Sequence, residues 1–181
     1  MENQATTRQQ ESGMLTGLFH DRESTEGAYR SLRDRGYTDD EINVMMSDST
    51  RDKFYKDNPD SDLADNKALE GAGTGGAIGG TLGAIIGGIS AIGTNLLLPG
   101  LGLVVWGPIA AALAGAGAGG FTGGLVGALI GWGIPEDRAK AYESGIKSGG
   151  TVLGVKPRNT SDADYFENEW KTNYRGQDIY R

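Results

Sequence analysis

Short apolar runs and helical spacings alternate along the N-terminal part of the chain. Residues 14–20 and residues 42–46 are apolar runs of a length suited to buried strands. Between them, Asp21 is placed to cap a helix that Gly36 ends, and a capping-box pattern begins at Thr38. The pattern predicts a β-α-β unit whose two strands are parallel.

A helix and a third strand follow much later in the chain. Pro135 and the two acids after it are typical of a helix start, and residues 151–155 form an apolar strand. This strand can join the first two only if the intervening chain leaves and returns at nearby points. The predicted fold class is therefore α+β: a small ferredoxin-like βαβ…αβ domain, made of residues 14–70 and 134–158, split by a long glycine-zipper α-helical hairpin at 71–133.

The two ends of the chain are polar. Residues 1–13 carry no periodicity and are predicted to be a disordered tail. They also lack the apolar stretch of a secretory signal peptide. Residues 159–181 are predicted to be a polar C-terminal tail, in which Tyr165, Phe166 and Trp170 either dock as an amphipathic turn or stay loose.

The strongest pattern in the sequence is an internal glycine repeat. Residues 71–135 contain no Asp, Glu, Lys, Arg or His, and 22 of the 31 glycines lie between positions 71 and 133. Residues 71–88 and 115–132 align without gaps and are identical at 11 of 18 positions. Each copy has five glycines spaced by four, and these ten are the predicted helix-packing residues: Gly71, Gly75, Gly79, Gly83, Gly87, Gly115, Gly119, Gly123, Gly127 and Gly131.

Glycines spaced by four form one stripe along a helix, so another helix backbone can approach closely. A flexible linker is disfavoured because the glycines alternate with Ile, Leu, Val and Ala rather than with polar residues. Dinucleotide-like spacings begin at Gly71 and Gly115, but the charged stretch before Gly71 is not a strand and no P-loop lysine follows. Helix pairing is the favoured interpretation.

The glycine segment is long enough to cross a membrane twice. Residues 71–98 and 106–133 each supply 28 uncharged residues, joined by a turn at Pro99-Gly100, with Trp106 and Trp132 as interfacial anchors. We therefore expect a transmembrane hairpin. The alternative is that the hairpin packs inside a soluble homo-oligomer.

Composition and candidate side chains exclude several functions. The net charge of −7 argues against nucleic-acid binding, and the absence of cysteine excludes disulfides and thiolate chemistry. His20 is the only histidine, and we interpret it as a surface or capping residue. The acids at positions 57, 60, 62 and 65 lack the glycine and terminal glutamate of a calcium loop. The sequence predicts no catalytic residue, metal, cofactor or small-molecule substrate, and therefore no enzyme.

Several stretches resemble a bacterial family of general-stress proteins, the heat-induced stress protein type of domain. They are TGLFHDRE from Thr16, RGYTDDEINV from Arg35, MSD from Met46, GWGIPEDRA from Gly131 and GGTVLGV from Gly149. The resemblance covers about residues 14–157. It implies a stress-associated bacterial protein and supplies no catalytic residues.

Together these patterns predict a non-enzymatic bacterial stress protein whose hairpin inserts in a membrane and self-associates. Its expected partners are other copies of itself and lipid. Its expected location is the inner membrane with the folded domain in the cytoplasm, and the alternative location is the cytoplasm.

Overall fold

The computed structural model describes residues 13–56, 95–98, 102–110, 124–131 and 133–181. In chain order the elements are β1 (Leu15–Phe19), α1 (Arg22–Asp34), β2 (Ile42–Ser47), α2 (Asp48–Arg51), β3 (Asn95–Leu98), β4 (Leu103–Trp106), α3 (Gly124–Gly131), α4 (Glu136–Lys147), β5 (Thr151–Val155), α5 (Thr160–Thr172) and β6 (Gln177–Tyr180). A 3-10 turn at Asp39–Glu41 precedes β2, and a π-helical turn at Asp52–Lys56 follows α2.

The described strands form one six-stranded sheet in the order β3-β4-β2-β5-β1-β6. Every neighbouring pair is antiparallel. Because β1 and β2 both pair antiparallel with β5, they run parallel to each other with β5 between them. The three predicted apolar strands are confirmed, and the mixed α and β character of the chain is confirmed with them.

Local signals in the sequence explain where α1 and α4 lie. The Asp21 side chain accepts a hydrogen bond of 2.8 Å from the Ser24 amide and so caps α1. Gly36 ends that helix in a left-handed conformation, with φ at +82°. Helix α4 follows Pro135 with two acids in its first turn, and Ser148 is its C-cap. These predicted helix boundaries are confirmed.

Both faces of the sheet are covered by helices. One core cluster includes Phe19, Tyr29, Leu153 and Trp170, and so joins the sheet to α1 and α5. The other includes Tyr142 and is made by α3 and α4 on the opposite face. Successive residues of a strand point to opposite faces, so a strand between two helical layers is covered on both sides. This is why β1 and β5 are buried at every position.

The structure corrects the predicted organisation of residues 71–133. Within the described residues, positions 95–98 and 103–106 are paired strands of the sheet rather than parts of a helical hairpin. Trp106, expected at a membrane interface, is 3 % exposed in the first core cluster. These two runs of four residues satisfy their backbone groups by pairing with each other and, for β4, with β2 as well.

The prediction of a transmembrane helix is wrong. In the part of the chain that the structure describes, no helix combines the length and the apolar character needed to cross a bilayer. The second predicted span, 106–133, begins at the last residue of β4, and its described helix, α3, has eight residues. Eight residues extend about 12 Å along a helix axis, well short of a bilayer's hydrocarbon core.

The predicted C-terminal tail is a folded part of the domain. Helix α5 buries Ala163, Phe166 and Trp170, and β6 pairs with β1 at the edge of the sheet. The Trp170 ring packs edge-on against Phe19, with 5.5 Å between ring centroids, and its indole nitrogen donates to Ser31 Oγ at 3.3 Å. Phe166 and Trp170 are docked, on a helix rather than on a single turn, whereas Tyr165 is 38 % exposed.

Candidate functional site

A buried asparagine fixes the point where the chain leaves the sheet toward the second glycine repeat. Asn43 on β2 is 3 % exposed, and its Oδ1 accepts a hydrogen bond of 3.1 Å from the Ile109 amide. Its Nδ2 donates to the Gly154 carbonyl of β5 at 3.3 Å. A buried amide with both ends paired holds a fixed orientation. The chain just after β4 is therefore attached to the centre of the sheet.

Gly107 makes that attachment possible. Its φ is +93°, and a Cβ added there would lie 2.2 Å from the Ile42 carbonyl oxygen and 2.9 Å from Asn43 Oδ1. Only glycine fits this position without displacing the backbone of β2.

The far end of the second repeat is attached to the same side of the sheet. Leu125 and Leu129 of α3 are 4 % and 0 % exposed, and both lie in the cluster that also contains Ile109. Residues 111–123 thus connect two ends that are each packed into one core cluster.

The glycine stripe on α3 faces away from that core cluster. Gly127 and Gly131 each follow a buried leucine by two residues, which is about 200° around a helix of 3.6 residues per turn. Among the described residues, no atom lies within 4 Å of a Cβ placed at either glycine. Ile130 lies beside them and is 43 % exposed, one of two exposed large hydrophobic residues in the described chain.

These two glycines are the predicted helix-packing residues that the structure places. The other eight lie outside the described residues: Gly71, Gly75, Gly79, Gly83, Gly87, Gly115, Gly119 and Gly123. The pairing of the two repeats stays a prediction. What the structure adds is the direction in which the end of one stripe points.

A second polar cluster joins α1, the end of β5 and α5. The Tyr37 hydroxyl donates to Asp162 Oδ2 at 2.8 Å and accepts from the Arg158 amide at 2.8 Å. Arg35 Nε pairs with Asp162 Oδ1 at 2.8 Å and holds the pKa of that carboxyl below its usual value. The Arg35 guanidinium also lies 4.0 Å from the centroid of the Tyr165 ring. Each hydrogen-bonding group named here has its partner within the chain.

The capping carboxylate at Glu41 belongs to the same cluster. Two bonds from the Arg158 guanidinium, of 2.8 and 3.1 Å to the two carboxylate oxygens, together with the Thr38 amide, lower the pKa of Glu41 to about 2. Tyr37, Glu41 and Asn43 all come from the stretch RGYTDDEINV that carries the family resemblance. These three residues of the stretch tie together segments far apart in the chain, a role that their local sequence does not indicate.

The remaining candidate chemistry is sparse. His20 is exposed at the end of β1, which agrees with a surface role. Among the described residues, no three His, Asp or Glu side chains are grouped as metal ligands would be. The acids at 57, 60, 62 and 65 lie outside the described residues.

No protein family, no curated protein and no solved structure matches this chain. The resemblance to general-stress proteins therefore stays a prediction.

Proposed function

We propose that this chain is a non-enzymatic structural protein that self-associates through the glycine stripes of residues 71–133 and forms a homo-oligomer in water. The observation that carries the proposal is the orientation of α3. Its leucines pack into the domain, while Gly127, Ile130 and Gly131 face outward. The likeness of its ends to general-stress proteins supports a role in the bacterial stress response.

The energetics of glycine favour packing on that outward side. A glycine in a helix interior costs about 1 kcal/mol relative to alanine, so the ten stripe positions together would cost about 10 kcal/mol. Close packing of a second backbone along the stripe offsets such a cost through dispersion contacts. At Gly127 and Gly131 the part of the domain that the structure describes supplies no such contact within 4 Å. A stripe from another repeat would supply it.

The fold is suited to hold the glycine segment, residues 71–133, in a fixed orientation. Both repeats flank the β3–β4 hairpin in the sequence, and Asn43 ties the residues after β4 to the sheet. A ferredoxin-like core, in which β5 lies between β1 and β2, would hold the repeats in one orientation in every copy. Identical orientation favours closed, symmetric assemblies.

The test is a leucine placed on the stripe, in the variant Gly127→Leu. Since a Cβ at position 127 would meet no atom of the described residues within 4 Å, we expect the domain to fold as before, with an unchanged far-ultraviolet circular dichroism spectrum. The leucine would separate the packed stripes, a change of the overpacking kind that costs about 1–3 kcal/mol per site. Sedimentation velocity without detergent should then show the oligomer dissociating at a concentration about 10-fold or more above that of the natural chain.

The matched control is Ser144→Leu, which adds the same side chain at an exposed position of α4. We expect this control to sediment like the natural chain. If Gly127→Leu and Ser144→Leu sediment alike, the stripe is not the interface and the proposal fails.

A further inference from the structure

The C-terminal strand β6 lies at the edge of the sheet, and its pairing with β1 is irregular. It pairs with β1 at Thr16↔Tyr180 and Leu18↔Gln177, and the register shifts between these two pairs. Its four side chains are exposed or half-buried, and of these Ile179 packs against the first core cluster. The strand therefore contributes little buried apolar area for its length.

Between Tyr174 and β6 lie the residues whose backbone conformation would change if β6 moved to another copy. The Tyr174 ring is lodged on α1, since a Cβ at Gly27 would lie 2.3 Å from Tyr174 Cε1. The next residue, Arg175, has φ at +52°, a left-handed conformation that costs an ordinary residue about 1–2 kcal/mol. Gly176 follows, with its amide donating to the Trp170 carbonyl at 2.7 Å. The hinge is therefore Arg175-Gly176, between an anchored ring and the strand.

We propose that β6 exchanges between copies, so that the edge of β1 is a docking site for the C-terminal strand of a second copy of this chain. The contacts that hold β6 all run to the rest of the domain: Tyr142 donates to the Asp178 carbonyl at 2.5 Å, and Arg138 pairs with the Asp178 carboxylate at 3.3 Å. The Arg181 guanidinium reaches Asp164 on α5 at 2.6 Å. An identical strand from another copy reproduces each of these contacts, as in domain swapping.

The hinge decides the balance between the closed and exchanged forms. Exchange changes the conformation at Arg175 and releases its left-handed strain, once in each copy. Asp178 also has a positive φ, of +47°, but it lies within β6 and keeps its conformation in both forms. Strain at Arg175 therefore favours exchange, whereas strain at Asp178 weakens both forms equally.

Single cysteines report the exchange directly, because the natural chain has none. One copy carries Thr16→Cys and the other Tyr180→Cys. These two positions are direct partners in an antiparallel pair, so their Cα atoms lie within the range that a disulfide spans. The mixed full-length chains are concentrated, oxidised and separated on a non-reducing gel. Association through the glycine stripe leaves each β6 on its own β1 and gives no such disulfide, so failure of either proposal can be told from failure of the other.

We expect a disulfide-linked dimer of the two chains. Introducing Arg175→Gly into both should raise the dissociation constant of the exchanged dimer by about 30-fold, since two hinges lose their strain. Asp178→Gly is the matched control and should leave that constant unchanged. A chain carrying both cysteine substitutions tests the geometry. If that chain closes its internal disulfide while the mixture gives none, or if the two glycine variants change exchange equally, the proposal is overturned.

Discussion

Replacing Trp170 by alanine tests whether the C-terminal helix is an integral part of the core. The side chain is 0 % exposed and packs edge-on against Phe19. Removing a buried tryptophan typically costs about 3–5 kcal/mol through lost burial and the cavity left behind. For a chain of this size, each kcal/mol lowers the melting temperature by about 2–4 °C. We therefore expect Trp170→Ala to melt about 10–15 °C below the natural chain.

The assay is unfolding in urea and by heat, followed by far-ultraviolet circular dichroism so that the loss of one indole does not change the signal. Tyr165→Ala is the control on the same helix, because Tyr165 is 38 % exposed and its ring contacts the Arg35 guanidinium at the surface. We expect the control to cost about 1 kcal/mol or less. If both variants lose a similar free energy of unfolding, the reasoning is refuted. In a loosely attached tail, neighbouring side chains would contribute about equally to stability.

Three further predictions concern the space around two glycines and the protonation of two side chains. Gly107→Ala should cost at least about 2 kcal/mol, because its Cβ meets a backbone oxygen at 2.2 Å, whereas Gly102→Ala, with φ at +61° and open space, should cost about 1 kcal/mol in the same urea titration. The Arg158 guanidinium holds the pKa of Glu41 at about 2, below its unfolded value, so the advantage of the natural chain over Glu41→Gln should be full at neutral pH and vanish as the pH falls toward 2 in urea titrations across that range. Tyr142→Phe should cost about 1 kcal/mol at pH 7 through the lost hydrogen bonds of the hydroxyl. Because burial raises the pKa of Tyr142 to about 12, above its unfolded value, the natural chain loses stability as the pH rises from 10 to 12, so its advantage over Tyr142→Phe should shrink and then reverse in alkaline unfolding curves.

The parts of the fold that the sequence predicted are those whose signals are local. The runs at 14–20 and 42–46 and the caps at Asp21 and Gly36 are each contained in a few consecutive residues, and the structure places the elements there. Glycine periodicity obscured the β3–β4 hairpin. Its two strands have four residues each, and short apolar runs do not by themselves distinguish a strand from part of a helix.

The C-terminal helix shows a second kind of failure. Ala163, Phe166 and Trp170 are spaced by three and four, a helical stripe whose members are all buried. The three aromatics at positions 165, 166 and 170 do not show this period by themselves, because Ala163 is part of it. The polar contacts could not be predicted from the sequence for another reason. Tyr37 meets Asp162 across 125 residues, and Asn43 meets Gly154 across 111. A single sequence does not pair residues so far apart.

The measurement that tests the central claim most directly is the mass of the natural chain in solution, by size-exclusion chromatography with light scattering in buffer free of detergent. The chain has a mass of 19.0 kDa. Self-association through the outward glycine stripe predicts a multiple of that mass, and a return toward the monomer when Gly127→Leu is measured at the same concentration. A natural chain that stays at 19.0 kDa at every concentration would contradict the account.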